Sequence, residues 1–90
     1  MKKNKHFKKM GQYLKKKRES LNMSQLKLSQ KLGYENLQII SNYERGLCFP
    51  PAKKMPKIVK ALKLKEEDKT VICEIIIQRT ADSLKQMKLN

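Results

Sequence analysis

From Met10 onward, apolar residues recur at three- and four-residue steps, the period of amphipathic helices, in several separate stretches. Over 10–21, Met10, Leu14 and Leu21 fall near one face, with Lys15, Lys16 and Lys17 mostly outside it. Asn22 and Met23 break the pattern. Ser24 can cap a second helix, about 24–32, whose inward side is Leu28 and Leu32. Gly33 stops it, because glycine tolerates the left-handed backbone found past a helix C-terminus. Asn36 can cap a third helix, about 36–45, anchored by Ile40 and Tyr43 and stopped by Gly46. Consecutive prolines forbid helix just before them, so 48–51 is a turn. Pro56 suits the first turn of a fourth helix, running to about Leu62 with Ile58, Val59 and Leu62 inward. After a short link at 64–65, Glu66, Glu67 and Asp68 favour a helix start through the macrodipole. The fifth helix carries Ile72, Ile75, Ile76, Arg79, Thr80, Leu84 and Met87 roughly on one stripe, and Val71 and Ile77 widen it. Taken alone, 75–77 also reads as a buried strand, since short β-branched runs are ambiguous. The acidic residues before it and ADSLKQMK after it favour helix. The fold class expected is all-α.

Ninety residues make one small domain. Its core is modest, so burial against a partner subunit would add stability. The net charge of +14 is unevenly placed. Residues 1–65 hold 18 Lys/Arg and 3 Glu, whereas residues 66–90 hold 4 Lys/Arg and 5 Asp/Glu. One part of the chain is therefore built to meet a polyanion, and the tail is not. Nucleic acid is the leading partner, because each neutralised phosphate releases counterions and adds affinity. A membrane surface would ask for a helix basic on one face and strongly apolar on the other, and no basic segment is clearly of that kind. No apolar run reaches about 18 residues, so nothing spans a membrane. The basic N-terminus lacks the apolar stretch of a secretory signal. A cytoplasmic location is expected. Cys48, Cys73 and the lone His6 fit no common zinc pattern, so no metal or cofactor is expected and the thiols read as reduced. Residues 1–9, MKKNKHFKK, read as a flexible basic arm that orders on DNA, followed by a domain at 10–64 and a C-terminal helix at 65–90.

Residues 24–46, SQLKLSQKLGYENLQIISNYERG, have the layout of two short helices joined by a tight turn. The outer side of the second carries Gln38, Ser41, Asn42 and Arg45, short polar groups that can hydrogen-bond base edges and phosphates. Around it stand LKKKRES at 14–20, PP at 50–51 and IVKALKL at 58–64. In this order and spacing the chain resembles the phage-repressor-like (Xre/Cro-type) helix-turn-helix domains over about residues 11–64. The resemblance implies a five-helix bundle, here with an extended C-terminal helix, that binds operator DNA as a two-fold dimer. It implies that Gln25 contacts a phosphate and braces the recognition helix. It makes Arg18 and Glu44 a partly buried structural ion pair, Arg45 a phosphate contact, and Gln38 and Asn42 residues that face bases. From 33 to 46 the chain is longer than the commonest family form by about one residue, which rotates a helical position by about 100 degrees.

Gln38 and Asn42 are four apart and share a helix face. Either side chain can pair bidentately with adenine N6 and N7. Base readout is therefore assigned to Gln38, Asn42, Ser41 and Asn36, and phosphate contact to Gln25, Arg45, Lys53 and Lys54. Ile39 faces either a thymine methyl or the core. Three consecutive lysines at 15–17 cannot all reach one phosphate. Tyr43 reads as core, and the few aromatics argue against single-strand stacking. Scattered carboxylates, a histidine in the arm and no glycine-rich phosphate loop leave catalysis without support, so no enzyme is expected. The expected function is a sequence-specific double-stranded DNA-binding transcriptional regulator, a repressor acting as a homodimer on an inverted repeat. Its dimer contact would come from Ile72, Ile75, Ile76 and Leu84. Two alternatives stand beside it: an antitoxin-like protein that holds a protein partner through the C-terminal helix, and a non-specific nucleic-acid binder.

Overall fold

In the computed structural model, which describes residues 5–87, five α-helices follow one another: α1 Lys5–Ser20, α2 Gln25–Lys31, α3 Gln38–Glu44, α4 Met55–Ala61 and α5 Glu66–Gln86. A single 3₁₀ turn, Ala52–Lys54, leads into α4. Local chemistry accounts for most of these limits. The Ser24 hydroxyl accepts the Lys27 N–H at 3.0 Å and starts α2. Asp68 Oδ2 accepts the Lys65 N–H at 2.9 Å and pins the start of α5. Helices α1 to α4 all stop through a left-handed residue: Asn22, Gly33, Gly46 and Lys63, with φ of 55, 84, 76 and 53°. After each, an N–H reaches back to a carbonyl five residues earlier: Met23 to Arg18, Tyr34 to Ser29, Leu47 to Asn42 and Leu64 to Val59. This closure satisfies carbonyls that a helix end leaves without partners.

Met10, Leu14, Leu28, Leu32, Ile40, Tyr43, Ile58, Leu62, Leu64, Ile72 and Ile75 form one buried core. Helix α1 runs through the middle, packed on α3 and on α5, while α2 packs on α3 and α4. The α1–α3 crossing is close. A Cβ added at Gly11 would collide with the backbone oxygens of Tyr43 and Glu44.

Several sequence expectations are corrected. Helix α1 begins at Lys5, not Met10, so the second half of the expected arm is ordered helix; residues 1–4 lie outside the described residues. The reason is tertiary. His6 Nε2 is hydrogen-bonded to Asp82 Oδ2 at 2.6 Å, and the Phe7 ring lies 5.5 Å from Phe49 and 5.3 Å from the Arg79 guanidinium. The ambiguous 75–77 run is helical. Ile72 and Ile75 are 5% and 4% exposed inside the subunit, so they are core residues and not dimer contacts. Ile76 is half-buried against the same core, and only Leu84 of the four stands well exposed.

Candidate nucleic-acid interface

Helix α3 has one face in the core and one in solvent. Inward, Ile40 and Tyr43 are buried, and Ile39 packs partly against the core. Outward, Gln38, Asn42 and Arg45 form a row. Gln38 Nε2 and Arg45 Nη2 both donate to Asn42 Oδ1, each at 3.0 Å. A base edge with its own donor and acceptor, as adenine presents, can substitute for these contacts. Ser41 is half-buried beside them. Asn36 stands at the start of α3, where a cap was expected of it, but one residue earlier than the cap itself. Its Oδ1 accepts the Gln38 N–H at 2.9 Å, so its carbonyl oxygen is engaged in starting α3, and the capping position itself is Leu37.

What makes this row rigid lies behind it. Glu44 is buried at the end of α3. Arg18 of α1 donates to it twice, Nε to Oε2 at 2.6 Å and Nη2 to Oε1 at 3.1 Å. Gln25, the first residue of α2, adds Nε2 to Oε1 at 2.8 Å. A third Arg18 nitrogen, Nη1, donates to the Met23 carbonyl at 2.6 Å. The planar fork of arginine matches a carboxylate in just this two-bond manner. One buried carboxylate thus joins α1, α2 and α3. The expected Arg18–Glu44 pair is brought together, and Gln25 is bonded to the same carboxylate at the end of α3.

A second tie crosses the turn between α2 and α3. The Tyr34 and Tyr43 hydroxyls are 2.9 Å apart. Burial, and then this hydrogen bond, push the Tyr43 hydroxyl pKa well above its ordinary value. Lys54 Nζ donates to the Leu32 carbonyl at 3.1 Å and sits 4.7 Å from the Tyr34 ring centroid. This lysine is turned onto the end of α2, a place where a cation is favoured, and is not presented as a phosphate contact. Lys53 is exposed, as are Lys15 and Lys16; Lys17 pairs with Asp68 at 3.1 Å. Burial also raises the pKa of the Cys48 thiol, which lowers its reactive thiolate fraction.

Two residues at or near the site were not singled out from the sequence. Leu37 is 40% exposed at the tip of α3, between Asn36 and Gln38. An apolar residue flanked by polar ones at a helix start was the available signal. Gly11 sets how closely α1 and α3 approach, and no pattern in the sequence marks that role.

Among the described residues, no helix is long and apolar enough to cross a membrane, and no group of three or more His, Cys, Asp or Glu is placed to hold a metal ion. The profile of a known family, described as helix-turn-helix, matches residues 14–69. The chain belongs to the helix-turn-helix family. Within it the relationship is to the phage-repressor-like (Xre/Cro-like) group, whose members are DNA-binding transcription regulators. The helix-turn-helix itself is α2 and α3, with Arg18 and Glu44 as its internal brace. The matched segment starts inside α1 and stops one turn into α5. The first turns of α1 and most of α5, which pack on each other, lie outside it. Searches of curated proteins and of solved structures found no match.

Proposed function

We propose that this protein is a sequence-specific transcriptional repressor that binds an inverted-repeat operator as a homodimer in the cytoplasm. The observation that carries the reading is the outward row Gln38, Asn42 and Arg45 mounted on the buried Arg18–Glu44 pair, which Gln25 braces. Readout by side chains needs groups held in place, and here Arg18 and Glu44 are buried while the row they support lies on the outer side of α3. In this reading α3 enters the major groove, Gln38 and Asn42 pair with base edges, and Ser41 serves a base or a neighbouring phosphate. Leu37 supplies an apolar contact suited to a thymine methyl. Arg45, Gln25 and Lys53 hold phosphates. Occupancy of a promoter then blocks polymerase.

The test is selection of binding sites from a random duplex pool at about 0.15 M salt, where charge-driven background is weakened. Enrichment of an inverted repeat is the expected result. A single enriched half-site would keep α3 as reader and remove the dimer. Tight binding at low salt without any enriched sequence would replace the repressor with a charge-only binder, the reading that the net charge of +14 favours.

A further inference from the structure

The segment that leaves α3, residues 46–54, is held at three points. At its start, Gly46 lies against the backbone of α1: a Cβ added there would stand 2.9 Å from the Lys8 Cα. At its end, Lys54 Nζ donates to the Leu32 carbonyl at 3.1 Å. Between them, the Phe49 ring meets the Phe7 ring of α1 at 5.5 Å. The Arg79 guanidinium of α5 lies over both rings, 4.7 Å from the centroid of Phe49 and 5.3 Å from that of Phe7. Phe49 is followed by Pro50, which is buried, and by Pro51. Two proline rings in succession fix φ. The place of Phe49 is therefore carried forward into the 3₁₀ turn Ala52–Lys54 and to the exposed Lys53.

Burial alone does not account for an arginine at 79. Its Nε is buried without a hydrogen-bond partner among the described residues. An apolar side chain would fill the space and leave no polar atom unpaired. What a guanidinium adds is a flat cationic face that is attracted to ring faces and orients them. Phe7, Lys8 and Arg79 all lie outside residues 14–69, the part that matches the family profile. The family segment supplies the loop after α3, and the flanks of this chain hold it.

We propose that Phe7, Phe49 and Arg79 are positioning residues for DNA binding, which fix residues 46–54 so that Lys53 meets a phosphate while α3 lies in the groove. This rests on the reading above, in which Lys53 holds a phosphate. None of the three residues needs to touch DNA. Phosphate contacts place a protein on the duplex, whereas base contacts specify the sequence. Loosening the triad therefore weakens binding to every duplex alike.

The test measures affinity of the full chain against salt concentration, on the selected site and on an unrelated duplex. The salt slope can be read on any duplex, so it does not depend on an enriched operator being found. Melting temperature and helicity are recorded for each variant, and binding is read well below its melting. Arg79→Met is expected to lower affinity about fivefold at about 0.15 M salt and to reduce the slope of log affinity against log salt by about 1, as one lost phosphate contact does. Phe49→Leu alters no charge and is the milder change for the fold, and the same two effects are expected of it. The ratio of affinities for the two duplexes is expected to stay at the parent's value. Phe49→Leu combined with Lys53→Met is expected to lower the slope no further than Lys53→Met alone, because both remove one contact. A parental slope in Phe49→Leu, or losses that add in the double variant, would overturn the positioning role and leave Lys53 as a phosphate contact. A parental slope in Lys53→Met would overturn that contact and the positioning role with it, while leaving readout by α3 untouched.

Discussion

Glu44 receives three hydrogen bonds, two from Arg18 and one from Gln25, with its side chain 3% exposed. A buried charge of this kind is tolerable only with its partner present. Arg18→Met is therefore expected to cost about 3–5 kcal/mol by denaturant unfolding, and the double change Arg18→Met with Glu44→Leu much less. The outward residues should behave oppositely. Gln38→Ala and Asn42→Ala are expected to change stability by no more than about 0.5 kcal/mol. On the selected operator each is expected to lose about 1–3 kcal/mol of binding, with little loss on unrelated duplex. The ion pair and the outward placement of Gln38, Asn42 and Arg45 were legible because the motif from 14 to 46 keeps its order and spacing. Lys53 and Lys54 were not separable that way. Adjacent residues of a 3₁₀ turn point about 120 degrees apart, and only packing shows that Lys54 is the one turned toward Leu32. Lys53→Met should lower the slope of log affinity against log salt by about 1, while Lys54→Met leaves it unchanged.

The helices themselves were largely visible in the pattern of apolar positions and stop signals. Gly33 and Gly46 marked the ends of α2 and α3, where left-handed backbone favours glycine. Asn22 and Lys63 take the same conformation at the ends of α1 and α4, held there by Met23 and Leu64 reaching back to Arg18 and Val59. A lysine gives no hint of such a stop. Gly11 is the converse case, a glycine inside a helix whose reason is a neighbouring helix. Gly11→Ala is expected to destabilise by about 1–3 kcal/mol or more, because the obstacle is α3 backbone rather than a side chain that can swing away. Thermal melting of that single variant checks the claim, and a melting temperature equal to the parent's would show the crossing to be looser than described.

Across the whole molecule, α1 and α5 are tied at both ends by carboxylates. Asp68 accepts the Tyr13 hydroxyl, the Lys65 N–H and Lys17, which hold its pKa down at about 2. Asp82 is lowered first by its hydrogen bond to His6 and then by Gln78. Both groups bind protons less readily folded than unfolded. Their contribution is therefore full above the unfolded carboxylate range near about pH 4 and lost as pH falls toward 2. Tyr13 acts at the other extreme. Burial, and then Asp68, raise its pKa to about 12, so the fold loses stability as pH rises from about 10 toward 12. A melting-temperature profile that is flat in between and falls at both ends is expected, with Asp68→Asn flattening both falls. An unchanged profile in that variant would mean the α1–α5 tie lies elsewhere.

The sequence by itself determined the all-α class, the α2–turn–α3 unit, most of the core and the outward row of Gln38, Asn42 and Arg45 on α3. Each of these depends on local periodicity, on cap chemistry or on a motif of fixed spacing, all of which are short-range along the chain. Tertiary structure alone decided where α1 begins, which way Lys54 turns, and which stripe of α5 is inside. His6, Phe7 and Tyr13 meet Asp82, Arg79 and Asp68 across most of the chain's length. The fifth helix carries two faces at the same spacing, and periodicity weighs them alike. Only the packing of α1 shows that Ile72 and Ile75 are taken by the core, leaving Ile77, Leu84 and Met87 to the outside.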